Sequence, residues 1–251
     1  MPPKLKPSER RQKGQEEAKA AHLIKTRKQL LRDSPTDPWA REQLGRRTDY
    51  LRPKKRILIV CEGEKTEPYY FESLKTELKL PIFVETVEGQ GDPLSVVESA
   101  VTYKSKNRGK YDDIWAVFDR DDFDVDRVHK AFELAKNNKI KIAFTNEAFE
   151  VWYILHYKFI QTPTSRDGYK KELSKFIKKE YKKNDRKMFT ILRPNLRTAI
   201  LNASNATSGI AMYAKDAIST NPYTGVHHLV CFLIKSANTK EINSLLKAYK
   251  K

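Results

Sequence analysis

Cysteine is scarce: the 251 residues contain two, Cys61 and Cys231. They stand far apart and form no C-x-x-C pair, which argues against a disulfide framework and a thiolate zinc site and fits a reducing cytoplasm. Long apolar runs are missing as well, since no window approaches the roughly 18 residues that a membrane span needs. The opening MPPKLKPSERRQKGQEEAKAAHL has none of the apolar core of a secretory signal. A phosphate-cradling glycine loop is also lacking. GEKT, Gly63 to Thr66, has no glycine immediately before Lys65, and acids intrude on it. No internal repeat is visible.

Charge is abundant. Charged residues make up 32% of the chain and the formal net charge is +17. It is unevenly placed: about +10 over residues 1–56, about −6 over 57–157, about +9 over 158–198 and about +4 beyond. An acidic module between basic flanks suits a polyanionic partner, nucleic acid, gripped outside the acidic patch. The cations expected to grip it are Lys65, Arg120, Lys170, Lys171, Lys178, Lys179, Lys182 and Lys183. Tyr169, Phe176 and Tyr181 interleave with these lysines at a spacing that serves base stacking and a helix core equally.

Three regions follow from the pattern: a basic, partly disordered arm over 1–53, an α/β core over 54–158, and a lysine-rich and C-terminal helical region over 159–251 packing on that core. Within the core RILIVC, PIFVETVEG, DIWAVFD and KIKIAFTN read as strands. Each is followed by a helical pattern. EPYYFESLKTELKL has Thr66 as expected N-cap, DPLSVVESAVTYKSK has Asp92 and Pro93, and VDRVHKAFELAKNN and EAFEVWYILHYKF complete the set. Four strand–helix units in succession predict a parallel sheet covered by helices on both faces. In such sheets the functional crevice lies beyond the C-terminal strand ends. DGYKKELSKFIKKEYKKNDRKMF reads as one or two amphipathic helices with Leu173, Phe176, Ile177 and Tyr181 inward. LRTAILNASNATSGIAMYAKDAI and TGVHHLVCFLIKSA read as helices separated by the turn STNPYTG.

Carboxylates gather at those strand ends. ILIVCEGEKTEPYYF delivers Glu62, and FDRDDFDVD delivers Asp119, Asp121 and Asp122. In an extended segment Asp119 and Asp121 point to one side and Asp122 to the other. Converging acids without cations repel by on the order of several kcal/mol. Mg²⁺ or Mn²⁺ is the expected neutraliser, because hard oxygen ligands suit it and it retains positions for phosphate. Gly63 removes a side chain where a substrate or ion approaches. Glu64, Asp122 and Glu150 are expected to support the site, Glu150 because a carboxylate inside AFEVWYIL either borders a polar site or pairs with a lysine. Against this stand solvated loop acids, with Glu67 favoured in a helix first turn and Asp124 and Asp126 as caps. An aspartyl-phosphate enzyme fits worse, since Phe123 follows the Asp-x-Asp. His227 and His228 begin a helix on different faces, and Trp152 and His156 share one; packing explains both pairs.

Glu-Gly after the first strand with Asp-x-Asp after the third resembles the Toprim domain. More specifically, ILIVCEGEKTEPYYFESL, AVFDRDD, TNEAFEVWYILHY and NPYTGVHHLV resemble the RloB-like (abortive-infection, AbiL-type) proteins of prokaryotic defence, over about residues 54–235. The resemblance implies a Toprim-like, Rossmann-like sheet and a divalent-metal phosphodiester site. In it Glu62 is the general acid/base or metal-adjacent group, Asp119 and Asp121 bind metal, and Glu67 holds a second ion. It also implies a separate ABC/AAA-type ATPase as partner. Two further readings stand beside the nuclease: a non-catalytic binding module with a structural metal site, and a nucleotidyl transferase. The latter is disfavoured, for no tyrosine-bearing DNA gate or zinc module is evident.

Overall fold

The structure is a computed structural model and describes residues 54–88 and 91–237. The proposed arm over 1–53, with its possible helix GQEEAKAAHLIKTRKQLL, lies outside the described residues.

β1 (Arg56–Cys61), β2 (Phe83–Glu88), β3 (Asp113–Asp119) and β4 (Lys141–Asn146) run parallel in the order β2–β1–β3–β4. The order places the first and third strands side by side at the centre. Ile57 lies opposite Asp113 and Cys61 opposite Val117. Glu62 N donates to Val117 O at 3.0 Å, so the backbone ladder runs one residue past β1. A fifth strand, β5 (Tyr223–Thr224), pairs antiparallel with the end of β4. The sequence reading treats that stretch as a turn; two residues are too few for a period to show.

Side-chain alternation divides the core. Ile57, Ile59, Cys61, Trp115 and Val117 face one way. They meet α1 (Thr66–Glu77), α4 (Glu150–Ile154), α5 (Arg166–Ile177), α6 (Met188–Leu192), α7 (Leu196–Ala206) and α9 (Val226–Ala237). Leu58, Val60, Ala116, Phe118 and Phe144 face the other way. Their partners are α2 (Pro93–Lys106), α3 (Val125–Asn137) and α8 (Lys215–Ser219). Ile57 to Cys61 are all fully buried. At about 1.5–3 kcal/mol per large apolar side chain, β1 alone anchors the layers. The described part of the helical region therefore contributes to the apolar clusters on both faces of the sheet.

Local chemistry sets the helix starts. Asp92 accepts from Leu94 N and Ser95 N at 3.0 and 3.3 Å, with Pro93 first in α2. Asp124 accepts from Arg127 N at 2.7 Å at the start of α3. Two expectations need correction, and one open alternative is decided. Thr66 does not cap α1: it is the first helical residue, and its hydroxyl donates to Lys183 O at 3.1 Å. The apolar helix after β4 is short, because His156 N and Tyr157 N bond three residues back and tighten the chain out of α geometry. The lysine-rich segment forms one regular helix, α5. It ends at Lys178 in the left-handed region (φ 55°), and a loop then runs to α6. No helix of the described residues is long and apolar enough to cross a membrane.

Candidate active site

β1 and β3 carry Glu62 and Asp119 to the same edge of the sheet. Glu62 Oε2 accepts from Asp119 N at 2.8 Å, so the two residues are in direct contact. Asp119 Oδ2 in turn accepts from Phe149 N at 3.0 Å, while Oδ1 is buried without a hydrogen-bond partner. The chain turns after β3. Asp121 has φ 45°, a left-handed conformation that aspartate tolerates, so the assumed extended geometry does not hold there. Asp121 nonetheless reaches the same cavity, and Asp122 is exposed outside it.

That cavity, about 330 Å³, is lined by Glu62, Gly63, Glu64, Lys65, Thr66, Glu67, Gly91, Asp119, Asp121, Arg166 and Lys183. Glu67, in the first turn of α1, is only 6% exposed. A Cβ on Gly63 would come 3.1 Å from Glu67 Oε2, so the absence of a side chain there lets that carboxylate sit where it does. Glu150, the first residue of α4, is 2% exposed with Oε1 unpartnered. It does not line the cavity, yet its charge acts on both Glu67 and Asp119.

Crowding marks this cluster electrostatically. Burial, with the charge of Glu67, lifts Glu62 to about 7 against the pull of Asp119 N, Arg166 and Lys183. Burial and Glu150 raise Glu67. Burial, then Glu67, Glu62 and Glu150, push Asp119 well above the usual carboxylate range. Among the described residues no group of three or more His, Cys, Asp or Glu is set to hold a metal ion. The acids are engaged elsewhere: Glu62 and Asp119 accept backbone N–H groups, and Asp121 ion-pairs with Arg166. The donors are nonetheless all hard oxygens, and the unpartnered, buried Asp119 Oδ1 is the kind of atom a divalent cation would take. In chemistry and burial the residues fit such an ion.

Arg166 is the residue that the sequence reading misses. It begins α5 behind the N-cap Ser165 and reaches back to β3, with Nη2 3.9 Å from Asp119 Oδ2 and paired to Asp121. No motif surrounds it. Its one sequence signal is a cation at a helix N-terminus, where the helix dipole disfavours positive charge.

The expected basic residues separate into groups. Lys65 and Lys183 line the cavity. The loop bearing Lys183 is tied to α1 by the Thr66 bond and by Ser73 Oγ donating to Arg186 O at 3.3 Å. Arg186 also lies over the Tyr69 ring at 4.2 Å. Lys171, Lys178, Lys179, Lys182 and Lys183 are exposed. Lys179 pairs with Asp185 at 2.5 Å, and Lys170 with Asp167 at 3.0 Å. Arg120 turns its guanidinium to Ile218 O at 3.5 Å and does not line the cavity. The aromatic candidates for stacking are core residues. Tyr169 and Tyr181 are buried, and Phe176 stacks on Tyr157 at 4.8 Å and 4°.

His227 and His228 stand outside the cavity lining. Contrary to the expectation from helical spacing, their rings meet at 3.9 Å. His227 Nδ1 lies 3.0 Å from Thr224 O, and burial pushes its imidazole down to about 3. His156 packs on Trp152, with ring centroids 4.9 Å apart, and burial lowers it to about 4.

Fold and cavity together define an α/β protein with a carboxylate-rich pocket at the C-terminal edge of a parallel sheet. The RloB-like protein family matches residues 57–233, most of the chain, and the chain belongs to it. No curated protein and no solved structure matches the chain.

Proposed function

We propose that the chain is a Toprim-type endonuclease, dependent on Mg²⁺ or Mn²⁺, that hydrolyses phosphodiesters of DNA or RNA. In this reading it is the cytoplasmic toxic effector of a prokaryotic antiviral, abortive-infection system of AbiL type, held silent or released by a separate ABC/AAA-type ATPase. The observation that carries the proposal is the convergence of Glu62, Glu67, Asp119 and Asp121 on one cavity at the ends of β1 and β3, with Lys65 and Lys183 beside them.

The ion would be held by Asp119 and Asp121, with Glu62 and Glu67 adjacent. When bound it would act as a Lewis acid on the phosphate and on an attacking water. The chain's own residues do the rest. Glu62, with Oε2 fixed by Asp119 N, has Oε1 left to accept a proton from water. Lys65 and Lys183 draw in the phosphate, and the exposed lysines of the loop after α5 hold neighbouring phosphates without reading sequence. Gly63 leaves room beside Glu67.

The test is incubation of the full chain and its Glu62→Gln and Asp119→Asn variants with DNA and tRNA in Mg²⁺ or Mn²⁺, with and without the ATPase. Cleavage by wild type should fall at least about a thousandfold in Asp119→Asn. Equal cleavage by all three proteins would end the proposal. The ion pair between Arg166 and Asp121 favours one second reading, a non-catalytic nucleic-acid- or ATPase-binding module whose acids are neutralised internally. Host toxicity that disappears in Asp119→Asn while nucleic-acid binding persists would reject it.

A further inference from the structure

Arg166 occupies a costly position. The N-terminal end of α5 already presents the positive end of its dipole. Ser165 Oγ, accepting from Gly168 N at 3.2 Å, brings no charge, and the one acid of that turn, Asp167, is exposed and paired with Lys170 at 3.0 Å. What holds the guanidinium there is the acidic edge of β3: Asp121 in direct ion pair and Asp119 at 3.9 Å. The pairing is incomplete. Asp119 Oδ1 remains buried without a partner. The side chains of Arg166 and Asp121 retain 30% and 25% of their exposure, so the pair is only partly desolvated and can open at modest cost. A guanidinium fork matches a phosphate as well as a carboxylate. Arg166 lines the cavity where the phosphate would lie, beside Lys65 and Lys183.

We propose that Arg166 is an exchangeable counter-ion: in the metal-free protein it neutralises Asp119 and Asp121, and when those carboxylates turn to a divalent cation it moves onto a non-bridging oxygen of the bound phosphodiester. This rests on the metal-dependent reading above. The exchange lets a buried acid cluster survive in the absence of metal, and it supplies a phosphate ligand only once the metal has arrived.

Two binding measurements on the full chain test it, with wild type, Arg166→Ala and Arg166→Lys. The first is Mn²⁺ titration followed by electron paramagnetic resonance. The second is anisotropy of a labelled oligonucleotide in Ca²⁺, a cation chosen to hold phosphate without turnover. Arg166→Ala should bind Mn²⁺ at least about tenfold tighter, because a competing positive charge has gone. It should bind the oligonucleotide in Ca²⁺ at least about fivefold more weakly, with Arg166→Lys between the two. Equal Mn²⁺ affinity in all three proteins overturns this inference alone. Tighter Mn²⁺ binding with unchanged oligonucleotide affinity overturns the exchange, leaving Arg166 a counter-ion only. No Mn²⁺ binding by any of them overturns it together with the metal reading. Should Arg166→Ala not fold, Arg166→Lys decides by the same comparison.

Discussion

Neutralising Glu62 should make the metal-free protein more stable, and the gain should grow with pH. Burial and Glu67 raise Glu62 from 4.5 to about 7, so the folded state holds a proton that the unfolded chain releases. Below about pH 4.5 both states are protonated and Glu62 carries no penalty. As pH rises through the interval to about 7 the folded state loses ground, and the loss is complete above it. At 1.36 kcal/mol per unit this comes to about 3 kcal/mol. Glu62→Gln removes that penalty. Gln can still accept from Asp119 N, and the pull of that bond on the charged carboxylate is already contained in the shift. The gain is therefore about 3 kcal/mol at about pH 8, or roughly 6–12 °C in Tm for a folded unit of this size. The assay is thermal unfolding in EDTA across about pH 5 to 8, taken as the difference between variant and wild type. Because every other titrating group is present in both proteins, the difference isolates Glu62 and its neighbours. The difference should vanish towards low pH, and added Mg²⁺ should shrink or reverse it at high pH. Parallel curves, or a variant less stable at pH 8 in EDTA, would refute the reasoning.

Gly63→Ala should change stability by less than about 1 kcal/mol yet lower metal-dependent cleavage about tenfold or more, since its Cβ would crowd Glu67 Oε2; full cleavage would show that Glu67 is not needed in its observed position. Replacing Lys179, Lys182 and Lys183 with Ala should leave Tm nearly unchanged and reduce the slope of log K against log salt by about two to three units over about 50 to 200 mM. An unaltered slope would remove that loop from the nucleic-acid surface. His156 and His227, lowered by burial to about 4 and about 3, contribute stability present above about pH 6.5 and lost as pH falls towards those values. Proton NMR should show neither imidazole titrating above about pH 5, and a midpoint near 6.5 for either would contradict their burial.

Much of this protein is written locally. The apolar run at Ile57–Cys61, the cap-and-proline start at Asp92 and Pro93, and the strand–helix alternation depend on neighbours in sequence, so periodicity and propensity reveal them. The strand-end position of Glu62 and Asp119 follows, and with it the edge at which the acids meet. Short elements were only partly legible: β5, with two residues, reads as a turn, and the helix after β4 is foreseen but closes after five residues. Tertiary structure alone decided which partner each acid takes. Glu62 bonds the backbone of Asp119, Asp121 takes Arg166 from a helix far along the chain, and Lys183 arrives on a loop pinned to Thr66. Arg120 and Lys183 look alike as basic residues, yet one turns to Ile218 O and the other lines the cavity. The physical reason is range. Backbone conformation answers to adjacent residues, whereas the energy of a buried charge answers to whatever the fold brings within a few ångströms of it.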